Sequence, residues 1–137
     1  SSDATFGYQP YISFDGSNDR LAIDHSYLGK DFDQVYVFTV FRTDFSGGGF
    51  DNWAFLDFDR SEYFNSYIRG DNGVLGISYN GTAVNDGQGV TPLNDNIPHI
   101  GLTIYDNTKI NDEEIYADGA LEVSTDREAL GVKFGNL

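Results

Sequence analysis

The chain has 137 residues, enough for one hydrophobic core and too few for two ordinary domains. Its 22 Asp and Glu against 8 Lys and Arg give a formal charge of −14, which repels a phosphate backbone and excludes nucleic acid as a partner. Cys and Met are absent, so a disulfide framework, a thiolate zinc site and a cysteine nucleophile are all excluded.

In chain order the residues read as short strands separated by Gly, Asp and Asn clusters. Tyr11-Ile12-Ser13-Phe14 alternates, meets a turn signal at Asp15 to Asp19, and resumes as Arg20-Leu21-Ala22-Ile23, the pattern of a hairpin. Val35 to Arg42 (VYVFTVFR) is β-branched and aromatic with apolar side chains on both parities, which predicts a mid-sheet strand covered on both faces. A glycine-rich loop from Thr43 to Asn52 leads into Trp53 to Asp59, whose alternation puts Trp53, Phe55, Asp57 and Asp59 on one face. Further strands are predicted at Tyr63 to Ile68, Val74 to Tyr79 and Ile100 to Tyr105, with a long loop from Asn80 to Pro98 whose length suggests function or metal ordering. Ile115-Tyr116-Ala117 then runs into Asp118-Gly119, a two-residue hairpin signal, and returns as Ala120 to Val123; only Asp126 to Leu130 has helical character. Eleven Phe, nine Tyr and sixteen Gly suit such strands and turns. The predicted fold class is all-β, an antiparallel two-sheet sandwich in one domain spanning residues 1–137.

Membrane insertion is not expected, since no apolar run approaches the length of a membrane span. The segment SSDATFG lacks the charged and hydrophobic regions of a signal peptide, so a secreted form implies excision from a longer precursor.

Four segments in this order resemble the laminin-G-like, concanavalin-A-like lectin superfamily: Ile12 to Asp19, Val37 to Arg42, Ile97-Pro98-His99-Ile100-Gly101-Leu102, and Ile115 to Gly119. The segment Trp53 to Phe64 (WAFLDFDRSEYF) is similar to versions of this domain in giant RTX-type adhesins of Gram-negative bacteria. The resemblance implies a jelly-roll sandwich, an extracellular place on a bacterial cell surface and a role in cell adhesion. Members of the superfamily continue with another strand or two beyond a position like Phe134-Gly135-Asn136, so the expectation is a truncated or split domain. Its sheet would be completed by a distant segment of the same sandwich or a neighbouring adhesin domain.

Candidate chemistry falls into three sets. Asp57, Asp59 and Glu62 resemble the alternating carboxylates of glycoside hydrolases on this sandwich, where one group attacks and another protonates the leaving group; Asp57 stands where laminarinase-type enzymes have Glu. Asp86, Asn94, Asp95 and Asp106 are candidate ligands for Ca2+, which takes carboxylate and carbonyl oxygens from flexible loops, although no EF-hand loop or RTX nonapeptide occurs. Trp53, Asp59, Arg60, Tyr63 and Tyr67 combine aromatic rings with polar groups, as a carbohydrate site requires. The competing reading places Trp53 and most Tyr rings in the core. His99 at a strand start suits a structural hydrogen-bonding role, and His25 carries no signal. Asn80-Gly81-Thr82 is a glycosylation sequon that means nothing in a bacterial protein.

The leading expectation is a non-catalytic, calcium-assisted binding or scaffold module of a bacterial surface adhesin, touching carbohydrate through loops at one rim. The alternative is a glycoside hydrolase or polysaccharide lyase fragment using Asp57, Asp59 and Glu62.

Overall fold

A computed structural model describes residues 10–15, 21, 33–47, 52–58, 64–79 and 87–126, with side chains in the second and third strands described for 53–56 and 65–69. Among the described residues there is no helix, and the strands form two antiparallel four-stranded sheets, a β-sandwich. In chain order they are β1 (Gln34–Phe41), β2 (Asn52–Phe58), β3 (Phe64–Arg69), β4 (Leu75–Tyr79), β5 (Gly87–Gln88), β6 (His99–Asp106), β7 (Glu113–Ala117) and β8 (Ala120–Thr125). One sheet runs β1-β6-β7-β8 and the other β2-β3-β4-β5. The chain therefore lays down β1, crosses to complete the second sheet as a meander, and returns with β6 beside β1, Phe41 opposite His99 and Gln34 opposite Asp106.

The core is where the inner faces meet. Ile68, Leu75 and Ile77 of the second sheet, Tyr105, Ile115 and Ala117 of the first and Leu93 form one buried cluster, with Val35, Val37, Trp53, Phe55 and Val123 packed against it. Full burial of each Leu or Ile contributes roughly 1.5–3 kcal/mol over leaving it in water. A polar contact crosses this interior: Thr103 Oγ1 of β6 donates to Ser66 Oγ of β3 at 2.8 Å, both residues buried. The Asp118-Gly119 turn has φ of 49° and 84°, the two left-handed residues that a tight hairpin turn needs to match strand twist.

Three expectations change. The strand expected at Val35 to Arg42 is present but lies at the end of its four described strands and is covered on one side only. Val35, Val37 and Phe41 face inward, whereas Tyr36, Phe38 and Val40 remain more than half exposed. In β2 the alternation breaks, because the pairing with β3 shifts between Ala54 and Leu56; Phe55 and Leu56 both pack on the core, so the expected single face does not hold. Residues 11–14, expected as a strand, carry no regular secondary structure, and Ile12 and Phe14 are exposed. Alternation specifies a face but supplies no pairing partner. Arg20, Ala22 and Ile23 lie outside the described residues, as do 127–130 of the expected helical turn.

Candidate functional site

The sandwich has two ends, and the described candidate residues divide between them. At one end lie the chain leaving β1, the start of β2, the β3–β4 turn, the segment entering β6 and the β7–β8 turn. At the other lie the β6–β7 turn and the last residues of β8.

The first end is tied together across both sheets. Phe45, just beyond β1, packs on Trp53 at the start of β2 with ring centroids 4.2 Å apart, and both rings are half-buried. Asn94 Nδ2 donates to the Phe45 carbonyl at 2.9 Å, and the Asn96 N–H donates to the Thr43 carbonyl at 2.9 Å. Gly73, at φ 70°, lies against the Asn94 side chain, where a Cβ would collide, and its carbonyl accepts the Leu93 N–H at 2.8 Å. Arg69 and Asp71 beside this turn form a two-pronged ion pair, at 2.8 Å and 2.6 Å. The Arg69 guanidinium holds the Asp71 carboxyl below its ordinary range.

His99 completes this end. Its ring is buried, with Nδ1 2.8 Å from Asp118 Oδ2 and Nε2 2.9 Å from Asp95 Oδ1. Burial opposes the imidazolium, but hydrogen bonds to Asp118 and Asp95 outweigh it, and the His99 pKa is raised above 6.5. Asp118 is lowered first by the Ile100 N–H, which donates to its Oδ1 at 2.8 Å, and then by His99; Asp95 is lowered chiefly by His99. With a carboxylate on each ring nitrogen, His99 joins the β6 start, the 94–98 segment and the hairpin tip, a setting that favours the protonated ring with both N–H groups donating.

The far end is closed by Asp106. Its Oδ1 accepts Thr108 Oγ1 at 2.6 Å, the Thr108 N–H at 3.0 Å and Gln34 Nε2 at 3.0 Å; its Oδ2 accepts Tyr36 OH at 2.9 Å. Thr108, then Gln34 and Tyr36, hold Asp106 at a pKa of about 2 against the opposing effect of burial.

The calcium candidates are therefore not brought together. Asn94 and Asp95 are at one end of β6 and Asp106 at the other, separated by roughly 20 Å of strand. Asp106 has its oxygens taken by donors, and Asp95 is committed to His99 and the Ile97 N–H. The described candidates do not fit a shared calcium ion, and among the described residues no group of three or more His, Asp or Glu side chains could hold a metal. Asp86 lies outside the described residues.

Of the carbohydrate candidates, Trp53 is at the tied end. Tyr67 is corrected: it is 1% exposed, with its ring over Gly76 on the neighbouring strand, so it offers no surface to a sugar. Asp59, Arg60 and Tyr63 lie outside the described residues. Of the carboxylates in the hydrolase alternative, Asp57 is placed in β2 opposite Asn65, and Asp59 and Glu62 lie outside the described residues.

Phe45, Arg69, Asp71 and Asp118 belong to this end without having been singled out as site residues from sequence. Asp118 was legible only as a turn former; its role as acceptor for a histidine 19 residues away has no local signature. Comparison of the chain with protein-family models, curated proteins and solved structures found no match.

Proposed function

We propose that this chain is a non-catalytic binding module of the laminin-G-like type, working as part of an extracellular bacterial adhesin and contacting carbohydrate through the end of the sandwich that carries Trp53. The observation that supports this most is the half-buried Phe45–Trp53 pair, fixed by Asn94 at the end of the sandwich that also carries the Arg69–Asp71 ion pair. A sugar site needs a rigid ring to stack on and neighbouring polar groups for hydroxyls. Here the ring pair is held by the Asn94–Phe45 hydrogen bond, and the surrounding loops are held by the His99 clasp, so little ordering is left for the ligand to impose. The sequence resemblance to lectin-like adhesin domains points the same way. Calcium has no assigned ligand set in this reading.

The test is a glycan array probed with the labelled chain in calcium and in EDTA, alongside Trp53→Ala. The expected outcome is saturable binding to a small set of glycans that Trp53→Ala abolishes at a temperature where circular dichroism shows the variant still folded, its midpoint lowered by the loss of packing on Phe45 and the core margin. Binding that survives Trp53→Ala, or release of reducing ends from the bound glycan, would sink the proposal.

A further inference from the structure

The outer face of the β1-β6-β7-β8 sheet carries a band of exposed apolar side chains between its polar ends. Tyr36, Phe38 and Val40 occur at alternate positions of β1 and are 53%, 64% and 56% exposed. The register sets Val40 beside Ile100, 45% exposed, and sets Phe38 beside Leu102, which pairs in turn with Tyr116 and, across β7, with Leu121, 52% exposed. An apolar row thus crosses all four strands. The exposed side chains present about 500 Å² of surface, the upper range of what a monomer leaves uncovered without a use for it.

Charge on this face is unlike that of the rest of the chain. The formal net charge is −14, yet the Phe38–Leu102–Tyr116–Leu121 row carries none. The carboxylates at the two ends of this face have partners: Asp106 is buried under its donors, Glu114 faces Lys109 Nζ at 3.5 Å with Lys109 also 3.9 Å from Asp106, and Asp118 beside Ile100 lies 2.8 Å from His99 Nδ1. We propose that this face is a self-association surface, on which a second copy of the chain docks by the same face in a two-fold pair.

Three points favour a second copy over other occupants. A basic partner would find no unpaired negative charge along the row, and a carbohydrate would find few hydrogen-bonding groups there. Two strongly acidic copies repel one another over most approaches, and this face lets them meet without opposing uncompensated carboxylates. Bringing two such faces together removes on the order of 1,000 Å² from water, the level at which specific association begins, with the sheets at the ordinary face-to-face spacing of about 10 Å. Because the remaining forces between copies are repulsive, salt should tighten the pair rather than loosen it.

The pair is independent of the carbohydrate reading, since Trp53 belongs to the other sheet. The test is sedimentation velocity on the full 137-residue chain from about 1 to about 200 μM, at low and at high salt, with Phe38→Glu and Leu121→Lys measured alongside. The expected result is a concentration-dependent doubling of mass that strengthens with salt. Each variant should raise the dissociation constant at least tenfold while keeping its thermal midpoint, because both positions are exposed. A monomer under every condition, or a dimer indifferent to both substitutions, overturns the proposal. So does a monomer that binds polysaccharide through Phe38, an outcome that would reassign the face to sugar.

Discussion

His99 Nδ1 lies 2.8 Å from Asp118 Oδ2, a contact that ties the start of β6 to the tip of the β7–β8 hairpin. Asp95 Oδ1 meets the other ring nitrogen at 2.9 Å, so the two carboxylates favour the protonated ring against its burial and its pKa is raised above 6.5. A raised folded-state pKa stabilises the fold fully below the unfolded value of 6.5, and that contribution is lost as pH rises through the folded value. The melting midpoint should therefore fall as pH is taken upward from about 6, and His99→Gln should flatten that slope. At pH 6, His99→Ala should cost about 2–3 kcal/mol, the worth of hydrogen bonds between charged groups. A midpoint that rises over this interval in the wild type, or an identical slope in His99→Gln, contradicts the cationic clasp.

Asp106 gives the opposite dependence. Its pKa is depressed from 3.8 to about 2, so its contribution is present above 3.8 and lost as pH falls toward 2. Asp106→Ala removes the acceptor from Gln34, Tyr36 and Thr108 and should lower the urea midpoint at neutral pH. Since its oxygens already accept these donors, the loss in urea denaturation should be the same in calcium and in EDTA. A loss seen only in calcium would identify Asp106 as a metal ligand.

The Thr103–Ser66 hydrogen bond joins the two sheets through the core. Thr103→Val leaves the Ser66 hydroxyl without that donor in a buried place and should cost about 1–2 kcal/mol. The double variant Thr103→Val with Ser66→Ala should cost less than the two single losses together, by about 1 kcal/mol. Strict additivity in a denaturant cycle would show that the contact carries no coupling.

The sequence made most strands legible because alternation and turn residues are local. Asp118-Gly119 announces its hairpin, and Ile100 to Tyr105 falls inside β6. What misled was apolar character on both parities of VYVFTVFR. Burial of both faces and exposure of one apolar face write the same local pattern, and Tyr36, Phe38 and Val40 turn out to be exposed. The break at Phe55 is set by pairing with β3, and the sheet to which each strand belongs is set by long-range contacts; neither is encoded within a window of a few residues. The site was half legible for the same reason. Trp53 stood out by type, whereas Phe45 and Asn94 matter through a hydrogen bond spanning 49 residues.

Trp53 is the single tryptophan of the chain, so its emission reports directly on the proposed carbohydrate end. A fluorescence titration with the glycans selected by the array, with reducing ends assayed in the same samples, decides whether this end binds sugar without cleaving it. A carbohydrate site at Trp53 gives a saturable change in its emission with no release of reducing ends. An emission spectrum unchanged at saturating glycan, or reducing ends that accumulate with time, would contradict it.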